Sequence, residues 1–273
     1  MDALGTAPSF NEKLPELHEF IVALVSGYRT GRISSWEDLE NRVSGFFTSS
    51  RMEQLEDLLP HWQKMAHFRE GVTLTHVMGV FLGLYMLPEY QSLTTDQQNL
   101  MQWIVLLHDV EKQAEKGQRD PLHAFRSAVT AARRLPVLGF ARTSQYEILI
   151  DRWSELVLSA WLQPDDQTEP IQDNRCYPEI LAGIDALFGK GSPATAIVKT
   201  VLCHMSVNVV KGWPQAAPLT TEEITRFVDR DLLRLLKVMM LSDNEGWSMF
   251  YPDRDAQRSD TLEVYEELEK LIF

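Results

Sequence analysis

Apolar residues in this chain recur at three- and four-residue spacing from one end to the other, with none of the strict alternation that a half-buried strand requires. Leu17, Phe20, Ile21, Leu24, Val25 and Tyr28 form one such stripe, with Pro15 near its start. Trp36, Leu39, Val43, Phe46 and Phe47 form a second behind a Ser34–Glu37 capping pair. A third segment, Met52 to Ala66, carries Leu55, Leu58, Leu59 and Trp62 and should be kinked or split by Pro60. Val77, Val80, Phe81 and Leu84 continue the pattern, as do Leu100, Trp103, Ile104 and Leu107 behind Thr94 and Gln97. Ser144 and Glu147 precede Leu149, Trp153, Leu156 and Ala160, on a helix expected to stop at Pro164, and Gly189 closes a short helix with Ile180, Ile184 and Leu187. Ser192-Pro193 opens a helix with Ile197, Val201 and Met205 inward, and Thr220 with Glu223 opens a long one carrying Leu232, Leu236 and Met239. The expectation is an all-α single bundle. Residues 1–66 are read as an N-terminal helical extension packed on a core of residues 67–273. A helical insertion spans about 140–190, and its polar stretch from Pro164 to Pro178 is an exposed excursion suited to a lid.

Composition narrows the function. At 273 residues and 44% hydrophobic, the chain can build a sizeable core, and its longest apolar runs are too short for a bilayer. Two cysteines make no disulfide framework, and the first ten residues lack a secretory pattern, so a cytoplasmic location is the expectation. A net charge of −13 argues against extended nucleic-acid binding. It leaves room for a small phosphorylated substrate, because between His108 and Arg142 seven basic residues face four acidic ones.

Polar groups on the apolar stripes carry the chemistry. His76 lies one turn before Val80, and His108 lies one turn after Ile104 on the inward side, followed at once by Asp109. Burying an imidazole and a carboxylate without a partner would cost several kcal/mol, and a bound cation removes that cost. Asp120-Pro121 reads as a helix start that puts His123 in the first turn, where the positive helix end disfavours an added charge and can receive a phosphate oxygen. His204 sits at the edge of the Ile197 stripe. Asp243 ends the Leu232, Leu236, Met239 stripe, unusual for an acid unless something positive meets it. A lone histidine in such places is more often a hydrogen-bonded core residue than a ligand; the ordered set is what points to a metal.

That set, in the segments THVMGV, LLHDVEK and LLKVMMLSDNEG, resembles the HD superfamily of metal-dependent phosphohydrolases over roughly Arg69 to Arg134 and Ala194 to Gly246. Lys112 after the doublet and the HAFRSA segment fit the same pattern. The resemblance implies that His76, His108, Asp109 and Asp243 hold one metal, with Asp109 able to bridge to a second. His123 and His204 would complete a second site, or one of them would act as general acid. Asp109, Lys112 and His123 are then the catalytic residues, and Arg69, Lys112, Arg119 and Arg126 grip the substrate phosphate. The donor set implies one or two divalent transition-metal ions, manganese, iron, nickel, cobalt or zinc. Two departures stand out. Val110-Glu111 replaces the family's Ile-Gly, putting Glu111 beside the metal as an outer base or facing solvent. The long interval between His123 and His204 leaves His204 free to sit elsewhere in the core, so one ion is the minimum.

The leading expectation is hydrolysis of a phosphoester or phosphoanhydride in a small nucleotide-like substrate, by a chain that is free to form homo-oligomers. Two alternatives stay open: a diiron oxygenase resembling myo-inositol oxygenase, whose ligand order is the same, and a helical signalling module without catalysis.

Overall fold

The computed structural model describes residues 6–59, 61–62, 65, 72–113, 120–165, 169–207 and 218–273. The described residues form an all-α assembly with a single two-residue strand pair. None of their helices is long and apolar enough to cross a membrane.

The chain opens with α1 (Phe10–Lys13), α2 (Pro15–Arg29), α3 (Trp36–Phe46) and α4 (Ser49–Leu58). Pro15 starts α2 as expected. The α3 cap lies one residue later than the sequence suggested. Ser35 Oγ accepts from the Asp38 amide, and the Asp38 carboxylate turns back to accept from the amide and hydroxyl of Ser34. Pro60 lies outside the described residues. This N-terminal segment shares its core with the rest of the molecule. Phe10 is fully buried edge-on against Trp103 at 5.1 Å, and Asn99 Nδ2 and Trp103 Nε1 both donate to the Pro8 carbonyl at 2.9 Å. One contiguous apolar cluster runs from Phe10 to Leu268.

α5 (Val72–Met86), α6 (Pro88–Gln91) and α7 (Thr95–Leu107) follow. The Thr94–Gln97 capping box forms, and the residues from Trp103 to Leu107 have no exposed surface. A helical stretch apolar on every side belongs in the interior, so the last turns of α7 deliver whatever follows Leu107 to the middle of the molecule. α8 is His123–Arg134 and α9 is Tyr146–Ser159. Gln145, not Ser144, occupies the cap position of α9, and that helix stops before Ala160 rather than at Pro164. The expected excursion begins with a hairpin, Trp161 opposite Gln172 and Leu162 opposite Ile171. Its return limb buries Gln172 and Asp173, so it is anchored in the fold. α10 (Tyr177–Phe188) ends at Gly189, φ 83°, a conformation that favours glycine.

α11 (Pro193–Cys203) starts with the Ser192 side chain accepting from the Thr195 amide. The capping box at Thr220 also forms, but the long helix expected there is two. α12 (Thr221–Phe227) stops at an extended Val228, and Asp229 restarts the chain by capping Leu232, at 2.9 Å, for α13 (Arg230–Ser248). A final helix, α14 (Arg254–Ile272), was not expected from the sequence; it buries Thr261, Tyr265 and Leu268 against the bundle.

Two close helix pairings set up the site. α13 lies along α5 so tightly that a Cβ on Gly83 would stand 2.4 Å from Glu245 Cβ, and one on Gly246 would stand 2.4 Å from Val80 Cγ2. α8 lies against α11 with Ala124, Ala128, Ala131 and Ala132 buried, small residues that let the helix backbones approach.

Candidate metal centre

Five helices each bring part of one buried cluster. α5 supplies His76 in its first turns, the end of α7 supplies His108 and Asp109, α8 begins at His123, α11 ends at His204, and α13 carries Asp243. The first five of these side chains are nearly or wholly inaccessible, and Asp243 is 8% exposed.

Each imidazole has the same orientation. Nδ1 of His108 lies 2.8 Å from the Val105 carbonyl, Nδ1 of His204 lies 2.7 Å from the Val201 carbonyl, and Nδ1 of His123 lies 2.5 Å from the Asp120 carbonyl. His76 reaches across to the Gly246 carbonyl at 3.2 Å. A carbonyl can only accept, so every Nδ1 carries the proton and every Nε2 presents a lone pair inward. Backbone carbonyls fixing the tautomer of ligating histidines is the usual arrangement around metals.

The inward atoms fall into two groups joined by Asp109. His76 Nε2 is 2.9 Å from Asp243 Oδ1 and 3.5 Å from Asp109 Oδ2, while His108 Nε2 is 3.7 Å and 3.5 Å from the same two oxygens. On the other side, Asp109 Oδ1 is 3.1 Å from His123 Nε2 and 4.0 Å from His204 Nε2. His123 and His204 face each other through Nε2 atoms 3.2 Å apart. His76, His108 and Asp243 could hold one metal ion, and Asp109, His123 and His204 could hold another. The long interval before His204 therefore does not take it elsewhere: the small-residue face of α8 against α11 closes it.

The residues fit a cation on a direct test. His76 Nε2, His108 Nε2, Asp109 Oδ1 and Asp243 Oδ1 are buried without a hydrogen-bond partner. Lone pairs and carboxylate oxygens converging with no hydrogen between them repel, and each unsatisfied buried group costs about 1–3 kcal/mol. Burial opposes ionisation of Asp109, yet His108, Lys112 and His123 hold its carboxyl well below the usual range. Burial likewise opposes charge on Asp243, and the neighbouring rings of His108 and His76 more than offset it, holding its carboxyl below the usual range. His204 is pushed down to about 3 by burial and by the neighbouring His123 and His108, which leaves it neutral and available as a donor. His108 moves the other way: burial lowers it, but Asp109 and Asp243 outweigh that and raise it.

The second ring of residues divides the sequence candidates. Lys112 Nζ lies 2.7 Å from Asp109 Oδ2; burial disfavours its charge, while Asp109 and Asp243 raise it and keep it an ammonium. Arg126 pairs with Asp120 and reaches the Glu111 carbonyl at 3.3 Å. Arg69 and Arg119 lie outside the described residues. The Asp120 cap expected for α8 is absent. The helix starts at His123 behind Leu122, and the Asp120 carboxylate instead accepts from the Gln113 amide at 2.7 Å. Glu111 is buried rather than solvent-facing. Its carboxylate meets Thr130 Oγ1 at 2.7 Å and His61 Nδ1 at 2.6 Å, and its amide donates to Ser127 Oγ at 3.2 Å.

Sequence reasoning missed two partners. His61, which sequence reasoning did not single out, is held at φ 82° beside Glu111. Trp247 stacks on His76 with centroids 4.2 Å apart, and the Lys112 ammonium lies 5.5 Å from the Trp247 ring centre. Trp247 falls four residues after Asp243, one helical turn along, so its spacing could have flagged it. Comparisons with protein-family models, with curated proteins and with solved structures yield no match for this chain.

Proposed function

We propose that the chain is a metal-dependent phosphohydrolase, similar to the HD superfamily, that cleaves a phosphoester or phosphoanhydride of a small nucleotide-like substrate. The observation that carries this reading is Asp109: one carboxylate set between two groups of inward Nε2 atoms, with an ammonium on its flank. The mixed imidazole and carboxylate donors suit manganese, iron, cobalt, nickel or zinc better than magnesium, which prefers oxygen throughout. Such an ion supplies Lewis-acid polarisation of a phosphoryl oxygen and acidification of water.

The protein's own groups do the remaining work. Asp109 stays ionised because Lys112 and the rings of His108 and His123 surround it. Lys112 places positive charge where a phosphoryl group loses its hydration, in a site too dry for bulk water to screen that charge. His123 and His204, held by their Nδ1 hydrogen bonds, keep fixed Nε2 positions on one side of Asp109, available to place a ligand or pass a proton.

Four histidines and two aspartates around a shared carboxylate also suit a diiron oxygenase of the myo-inositol oxygenase kind. Lys112 favours the hydrolase, since an ammonium against the Asp109 carboxylate matches an anionic substrate. Elemental analysis of untreated protein, followed by a phosphoester and nucleotide screen with manganese or nickel, is the test. Metal content with phosphate release supports hydrolysis. Iron content with oxygen consumption in anaerobically purified protein, and no phosphate release, overturns it.

A further inference from the structure

Beside His76 the surface opens into a cavity of about 220 Å³ lined by Trp36, Glu40, Thr75, His76, Trp247 and Tyr251, with the Gly246 backbone at its floor. Trp247 is 47% exposed and Tyr251 55% exposed, two large rings left in water on the rim of one cleft. Trp247 is not free to swing inward and bury itself, because its ring is stacked on His76. Trp36 is braced as well, edge-on to Phe250 at 5.1 Å with its six-membered ring against Gly79, where a Cβ would come within 3.3 Å. Its indole Nε1 is buried and has no hydrogen-bond partner. Rigid exposed aromatics around a concave space, with a few polar groups set among them, are the makings of a small-molecule subsite.

We infer that this aromatic cleft is a nucleobase subsite, which places the base of the substrate against Trp36, Trp247 and Tyr251 and directs its phosphate toward Lys112 and the metal centre. Size limits the occupant, since pockets for whole drug-sized ligands run to about 300–1,000 Å³; the space here suits one flat ring system and not a complete nucleotide. Shape and chemistry agree. Indole and phenol faces stack on any base. Glu40, one turn after Trp36, offers an exposed carboxylate that only accepts. A base with an exocyclic amine can donate to it, whereas the negative Glu40 turns phosphate away from this end. The Trp247 ring joins the two halves, touching His76 of the metal cluster and lying within cation–π reach of Lys112.

This inference rests on the hydrolase reading for its direction of phosphate but is tested without it. Guanosine, adenosine, cytidine, uridine and ribose, none of them phosphorylated, are titrated into the purified protein while tryptophan fluorescence is followed. Saturable quenching by the nucleosides and none by ribose is the expected result, with the three amino-bearing nucleosides bound more tightly than uridine. Trp247→Ala should weaken them about ten- to a hundred-fold, the usual worth of one stacked base, and Trp247→Phe should restore most of the loss. Glu40→Gln, on the exposed rim, should close the gap to uridine. Absence of saturable nucleoside binding, or equal affinity in Trp247→Ala, overturns the subsite even if phosphoesters are hydrolysed. Nucleoside binding with no phosphatase activity toward any compound overturns the hydrolase reading and leaves the subsite standing.

Discussion

Gly246→Ala tests whether close packing of α13 on α5 is what builds the first metal group. The new Cβ would lie 2.4 Å from Val80 Cγ2 and 3.1 Å from His76 Cε1, whereas ordinary contact begins at 3.4 Å. Valine in a helix has little rotamer freedom to move aside, so the helices must separate by about 1 Å at that level. His76 Nε2 would then leave Asp243 Oδ1, now 2.9 Å away, and Nδ1 would lose the carbonyl that fixes its tautomer. Overpacking of this kind costs roughly 1–3 kcal/mol, and alanine's helix preference returns up to about 1 kcal/mol. The net loss of roughly 0–2 kcal/mol lowers the melting temperature by at most about 8 °C in a chain of this size. Gly83→Ala is the matched control. It meets Glu245 Cβ at the same 2.4 Å, two turns along α5 from His76, and should cost similar stability. Metal affinity separates the two. By chelator competition, Gly246→Ala should bind at least about ten-fold more weakly, the usual worth of a residue that orients a ligand, and Gly83→Ala should stay within a few-fold of the parent. Unchanged affinity in Gly246→Ala would show that the helix spacing does not set the site.

Asp109→Asn keeps the side-chain volume but removes the charge that Lys112, His108 and His123 surround; metal content should fall, with a destabilisation of about 3–5 kcal/mol from the stranded cation. Full metal content by elemental analysis would remove Asp109 from the proposed ligand set. His108→Ala should abolish turnover while circular dichroism keeps its helical signal, and collapse of that signal would make the residue structural only. Lys112→Ala should raise the substrate KM more than it lowers kcat, and an unchanged KM would take Lys112 out of the phosphate site. Acid should destabilise the chelated protein through His204. Its folded pKa of about 3 lies below the unfolded value of 6.5, so its contribution is complete above pH 6.5 and is lost as pH falls from 6.5 toward 3, up to roughly 4–5 kcal/mol. His108, shifted upward, opposes this on the acid side. Denaturant midpoints measured between pH 7 and 5 should therefore fall less steeply in His204→Gln, and an equal slope would refute the assignment.

The helical class was legible because apolar spacing is local information, and the caps at Thr94, Ser192 and Thr220 were legible for the same reason. Boundaries failed where two short-range options competed. Ser34 and Ser35 offer adjacent hydroxyls to one acidic turn, and Asp229 can cap a new helix inside what reads as a continuous stripe. The C-terminal helix escaped notice because only three of its residues are buried, too few to mark a stripe among so many charges. Of the site, all six metal-capable residues could be picked out from the sequence; Trp247 was open to the same reasoning through its one-turn spacing from Asp243, whereas the contact of His61 with Glu111 joins distant segments and leaves no mark on spacing.

By itself the sequence determined that the chain is helical, which stripes face inward, and that His76, His108, Asp109, His123, His204 and Asp243 ride on or beside those stripes. Only the tertiary structure decided that they meet in two groups of three, that Asp109 of one group also faces the histidines of the other, and that every Nε2 points inward. The physical reason is that helix periodicity is written within four residues of any position, while the distance between His123 and His204 depends on how closely two helices pack although these residues stand 81 positions apart in the chain. Small residues make those approaches, and their meaning is visible only when the opposing helix is in place.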